Sequence, residues 1–107
     1  MLQYRQGDVL LQKVESLPKQ AKRQNASDRI ILAHGEVTGH AHAISSTQAL
    51  SFTWGDQSFI LARNGATVVH EEHAPILLEP GFYEVIRQRE YTEPTPDRDA
   101  YWDYSRD

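Results

Sequence analysis

The stretch Ala49-Leu50-Ser51-Phe52-Thr53-Trp54-Gly55-Asp56-Gln57-Ser58-Phe59-Ile60-Leu61-Ala62-Arg63-Asn64-Gly65-Ala66-Thr67-Val68-Val69-His70 decides the fold class. Its first six residues alternate with period two, the pattern of a strand that buries one face. Gly55-Asp56-Gln57 turns the chain, and Ser58–Ala62 reads as the next strand. Asn64-Gly65 is the strongest short hairpin signal in the sequence, so Ala66–His70 is expected to return as the partner of Ser58–Ala62.

The flanks read the same way. Val9–Val14 is a short apolar run of strand length, ended by Leu17-Pro18, and Arg29–His34 reads as a buried strand. A further strand is expected from Val37 to Ile44. Beyond the central stretch, Pro75–Leu78 leads through Glu79-Pro80-Gly81 into a last strand, Phe82–Tyr91. Residues 18–29 are polar and basic, with Lys19, Lys22, Arg23 and Arg29 against Asp28. They read as a solvated loop or short surface helix, or alternatively as a basic flap for an anionic ligand. With about seven or eight strands and no convincing long helix, the expected class is all-β: a small antiparallel barrel, roll or sandwich.

The expected domain is 1–91, followed by a tail at 92–107 that combines Pro94, Pro96 and four aspartates with Tyr101-Trp102-Asp103-Tyr104. Such an aromatic cluster offers a docking surface for the domain or for a neighbouring subunit, which would make a homo-oligomer. A chain of 107 residues is long enough for one core. The net charge of −4 gives no global basic field for nucleic acid. No apolar run approaches the ~20 residues that span a bilayer, and the N-terminus does not read as a signal peptide. A cytoplasmic protein with no membrane partner is the expectation. The absence of cysteine excludes disulfides and thiolate metal sites, leaving imidazole, carboxylate, carbonyl and water as donors.

Chemistry concentrates in two short stretches that hold all five histidines. In an extended strand His40 and His42 stand on one face, a natural two-ligand edge for zinc, iron, manganese, copper or nickel. His34 and Glu36 flank Gly35 just before them. The second stretch is His70-Glu71-Glu72-His73. In a regular strand its two histidines would face opposite sides, but a turn or bulge lets both line one pocket. Strand pairing is expected to join the two clusters into one site. The expected metal ligands are His34, His40, His42 and His73, and the expected catalytic residues are His70, Glu71, Glu72 and His73. Arg63, Arg87, Arg89, Glu36 and Thr38 are expected to bind substrate. On the last strand Tyr83, Val85, Arg87, Arg89 and Tyr91 share a face, which reads either as a grip on phosphate or as an edge strand whose charges prevent aggregation.

Gly35, a spacer and His40-Ala41-His42 resemble the opening of the first cupin motif. That motif continues with a glutamate, but Ser45, Ser46, Thr47 and Gln48 occupy the available positions. Glu79-Pro80-Gly81 resembles the second motif loosely, without its histidine. The resemblance implies a small β-barrel with a metal in its mouth, His40 and His42 as ligands, and His70, His73 or Glu71/Glu72 in place of the missing ones. The blocks GEVTGHAH, HEEHAPI and QREY also resemble small bacterial proteins of unassigned function, which implies no activity.

Three functions are compatible with these residues. The first is a hydrolase dependent on a divalent metal (Zn, Mn, Fe or Ni) and acting on a small anionic, phosphate-containing substrate. The second is a metal-independent phosphodiesterase or ribonuclease that cleaves RNA or a cyclic nucleotide with a histidine acid–base pair. The third is a non-catalytic module that binds a ligand or partner.

Overall fold

The computed structural model describes residues 2–35, 37 and 39–88. Expectations placed on Glu36, Thr38, Arg89 and the tail 92–107 lie outside the described residues. The described elements are strands: β1 (Gln3–Gln6), β2 (Val9–Val14), β3 (Lys22–Gln24), β4 (Arg29–His34), β5 (Ala41–Ser45), β6 (Ala49–Trp54), β7 (Gln57–Ala62), β8 (Ala66–His70), β9 (His73–Leu78) and β10 (Gly81–Arg87). They form a six-stranded sheet in the order β1-β2-β10-β7-β6-β3 and a four-stranded sheet in the order β4-β5-β8-β9. All pairings are antiparallel. The class is all-β, as a two-sheet sandwich rather than a closed barrel. Among the described residues no helix is long and apolar enough to cross a membrane.

Alternation builds the core. Val9 and Leu11 of β2, Ile60 and Ala62 of β7, and Tyr83 and Val85 of β10 meet Ile30 and Leu32 of β4, Ile44 of β5, Val68 of β8 and Leu78 of β9. Burying each large aliphatic side chain contributes about 1.5–3 kcal/mol. The phenol of Tyr83 is buried with them and donates to the Glu79 carbonyl at 2.7 Å, so its polar end is satisfied inside the core.

Among the described residues ten strands form where about seven or eight are expected, because β1 and β3 carry weak signals. β3 lies in the stretch read as a loop, helix or flap and pairs with β6 at the sheet edge. It is exposed throughout, so no apolar alternation marks it. Asn64-Gly65 is a corner and not a hairpin. The strand before it, β7, pairs with β6 and β10, whereas β8 after it pairs with β5 and β9 in the other sheet. Asn-Gly accepts positive φ in either setting; tertiary pairing decides which one forms. The last strand is not an edge either, since β10 lies between β2 and β7.

The strand expected from Val37 starts later, at Ala41. Before it the chain turns at Gly39 (φ 89°). Gly35 N–H donates to the His40 carbonyl at 2.7 Å and His40 N–H to the Val37 carbonyl at 3.0 Å. His40 is therefore a loop residue, not a strand neighbour of His42.

Candidate functional site

Two tight turns and one strand build the site. β8 and β9 are joined by Glu71-Glu72, with His70 and His73 as cross-strand partners. Opposed residues of an antiparallel pair share a face, and the two rings meet edge-on with centroids 4.7 Å apart. The ladder is irregular nearby: Val68 pairs with Ile76, and the next pair is His70 with His73, so two steps on β8 match three on β9. Pro75, which has no N–H to give, sits in that bulge.

β5 runs beside β8 and carries His42 inward, 3% exposed. Its ring lies 4.3 Å from His70 and 5.7 Å from His73, centroid to centroid. His40 reaches the group from the loop, edge-on to His70 at 5.9 Å. Four imidazoles from two distant sequence stretches thus pack together. Exposed His34 pairs with Ala41 at the end of β4.

The β1–β2 turn completes the enclosure. Gln6 is buried, and its Nε2 donates to the carbonyls of Val68 (3.2 Å) and Ala74 (2.9 Å), both flanking the bulge. That fixes the amide's orientation and leaves Oε1, an obligate acceptor, 2.8 Å from His42 Nδ1. Nδ1 must therefore carry the proton, which places the lone pair of neutral His42 on Nε2. His70 is fixed in the opposite sense. The backbone N–H of Glu72 donates to its Nδ1 at 2.9 Å, so the proton of neutral His70 is on Nε2.

Two glycines let the backbone approach these rings. A Cβ on Gly7 (φ 57°) would stand 2.9 Å from His73 Nε2 and 3.3 Å from His42 Cε1. A Cβ on Gly35 would stand 2.9 Å from His70 Nε2 and 3.1 Å from His40 Cβ. Between them lies a cavity of about 190 Å³ lined by Asp8, His42, His70, Glu72 and His73 together with the two glycines. It is smaller than the roughly 300–1,000 Å³ of most ligand pockets.

The two glutamates divide their work. Glu71 accepts the Ala41 N–H at 3.0 Å and clips the start of β5 to the β8–β9 turn. That bond, and next its own backbone N–H, hold its carboxyl below the ordinary carboxylate value, with smaller help from the charges of His40 and His70 and against a desolvation effect. Glu72 instead lines the cavity. Its Oε2 lies 3.1 Å from His40 Nδ1, yet off the line of an N–H bond, so that buried nitrogen has a carboxylate beside it without an aligned hydrogen bond.

Two of the expected anion-binding arginines, Arg63 and Arg87, are elsewhere. Arg87 points from β10 toward the other sheet and donates through Nε to the Leu32 carbonyl at 2.7 Å. Leu32 is the extra residue where the β4–β5 register shifts, so Arg87 ties the bulge to the six-stranded sheet. Arg63 lines a different cleft. Among the described residues no Lys or Arg lines the histidine cavity. As for a metal, among the described residues no three His, Asp or Glu side chains converge as a binding set.

Sequence reasoning missed Gln6, Gly7 and Asp8. Gly7-Asp8 between β1 and β2 is a two-residue turn with Gln6 opposite Val9, and Gly-Asp before an apolar run is a readable hairpin signal. Nothing local marks Gln6 itself, because its partners lie on β5, β8 and β9.

The family model described as domain of unknown function DUF8820 matches residues 5–88. The chain belongs to that family. The DUF8820 span begins one residue before Gln6 and contains every residue of the cavity. This is a family of unassigned function, no cupin family model matches, and no curated protein and no solved structure matches the chain.

Proposed function

We propose that the histidine cavity is the active site of a hydrolase that works without a metal, using His42 as base and His70 as hydrogen-bond donor. The opposite tautomers of these two rings carry this reading. His42 Nε2 takes a proton from water, or from a neighbouring substrate hydroxyl, as its oxygen attacks an acyl or phosphoryl centre. Neutral His70 offers Nε2–H to the oxygen that gains charge. The proton held by His42 is then returned to the leaving oxygen as its bond breaks, so the enzyme ends as it began. Asp8 and Glu72 add carboxylates to the lining beside these imidazoles.

Hydrolysis of p-nitrophenyl acetate and bis(p-nitrophenyl) phosphate in EDTA tests this reading. Turnover proportional to protein and reduced about 10²–10⁴-fold by His42→Ala is expected. Turnover equal in wild type and His42→Ala would remove His42 from the mechanism.

A second reading places a divalent cation, Zn, Mn, Fe or Ni, on the same residues. Its support is the donor chemistry of the lining, imidazole and carboxylate, although the described side chains do not converge as a binding set. It predicts stoichiometric metal in untagged protein, lost from the His40/His42 double variant, and activity that EDTA abolishes.

A further inference from the structure

We propose that the cleft between β3 and the β7–β8 corner binds a phosphate-bearing ligand, at a site separate from the histidine cavity. The cleft holds about 410 Å³, within the size range of small-molecule sites, and is lined by Arg23, Arg63, Ser46, Thr47, Gln48 and Asn64 among others. Its charge is the decisive feature. The chain has 15 Asp and Glu against 11 Lys and Arg, yet among the described residues two arginines and no carboxylate line this cleft. Among the described residues neither guanidinium takes part in an ion pair. Two guanidinium groups lining one concave space give it a positive potential that attracts an anion.

The surrounding groups suit that anion. Arg23 projects from the exposed edge strand β3, opposite Phe52 of β6, and Arg63 follows β7 directly. Gln48 Oε1 is taken by the Thr67 N–H at 2.9 Å, which leaves the amide NH₂ as its donor. Two planar guanidinium forks and neutral donors match a tetrahedral, multi-oxygen group, and a diphosphate has oxygens enough for both forks. Ser46–Gln48 follow the end of β5 and Asn64 precedes the start of β8. The histidines instead sit toward the start of β5 and the end of β8, so the two sites occupy opposite ends of the four-stranded sheet.

The full chain titrated by calorimetry at low ionic strength tests the site, with inorganic pyrophosphate and adenosine 5′-diphosphate as probes. Tighter binding of the nucleotide than of pyrophosphate would identify a nucleotide site, and equal binding a site for the phosphates alone. Either result supports the proposal if Arg23→Gln and Arg63→Gln each weaken binding at least tenfold while His42→Ala binds as wild type does. Both arginines are exposed, so an unchanged melting curve will show that the variants fold. No saturable binding of either probe, binding that survives both arginine substitutions, or binding lost in His42→Ala would each overturn it.

Discussion

Gln6 Oε1 accepts from His42 Nδ1 at 2.8 Å while the same amide donates to two carbonyls of the β8–β9 pair. One buried side chain thereby ties β1 to three strands of the opposite sheet and sets the tautomer of the innermost histidine. Such outer partners orient imidazoles whether the ring serves as base or as metal ligand.

Nitrogen-15 NMR of the neutral imidazoles is expected to show His42 as the Nδ1–H tautomer and His70 as the Nε2–H tautomer. Gln6→Leu keeps the shape of the side chain but strands Val68 O, Ala74 O and His42 Nδ1. It should cost about 3 kcal/mol in chemical denaturation and return His42 to a tautomer mixture. A fixed Nδ1–H signal in that variant would show that Gln6 does not set it.

Gly7→Ala places a methyl group 2.9 Å from His73 Nε2 on a backbone at φ 57°. Left-handed backbone alone costs a non-glycine residue about 1–2 kcal/mol, and the ring must also move. Lower stability together with shifted His73 ring resonances is the expected outcome. A stable variant with unmoved His73 signals would mean that the turn does not pack on the ring as described.

Glu71 makes acid stability a local question. Its folded value lies below the ordinary 4.5 because its carboxylate accepts backbone N–H groups, that of Ala41 foremost. A depressed carboxylate contributes stability above its unfolded value and loses it as pH falls through the folded one. Thermal melts from neutral pH downward should show wild type losing an advantage over Glu71→Gln that is full above about pH 4.5. Parallel curves at every pH would contradict this role.

At the alkaline end Tyr83 acts with the opposite sign. Burial foremost, then Tyr4 and Glu79, push its phenol up to about 12 from 10.0. The unfolded chain releases that proton first, so stability from Tyr83 is full below about pH 10 and falls as pH rises toward the folded value. Absorbance at the tyrosinate band should show one tyrosine resisting ionisation until the protein unfolds, and Tyr83→Phe should remove that component. The variant should also lose about 1 kcal/mol with the bond to the Glu79 carbonyl. Unchanged titration in Tyr83→Phe would assign the resistant group elsewhere.

Much of the strand content was legible because burial of one face leaves its period in the sequence. Val9–Val14, Arg29–His34, Ala49–Trp54 and Ala66–His70 have their expected bounds. β3 escaped notice because an exposed edge strand buries nothing, and β1 because its signal rests on Gly7-Asp8 rather than on apolar residues. Within the site, the histidines announced themselves by residue type. The separate roles of Glu71 and Glu72 did not, since adjacent glutamates differ only in what the fold sets beside them.

The sequence by itself determined that the chain makes β-strands, and where its imidazoles lie along it, because strand periodicity and residue chemistry are local properties. The tertiary structure alone decided that Asn64-Gly65 crosses between sheets, that Arg63 and Arg87 stand away from the histidine cavity, and that Gln6 sets the proton on His42. Each of these depends on which strands become neighbours. That choice is made by burying one shared core, and no short window of sequence records it.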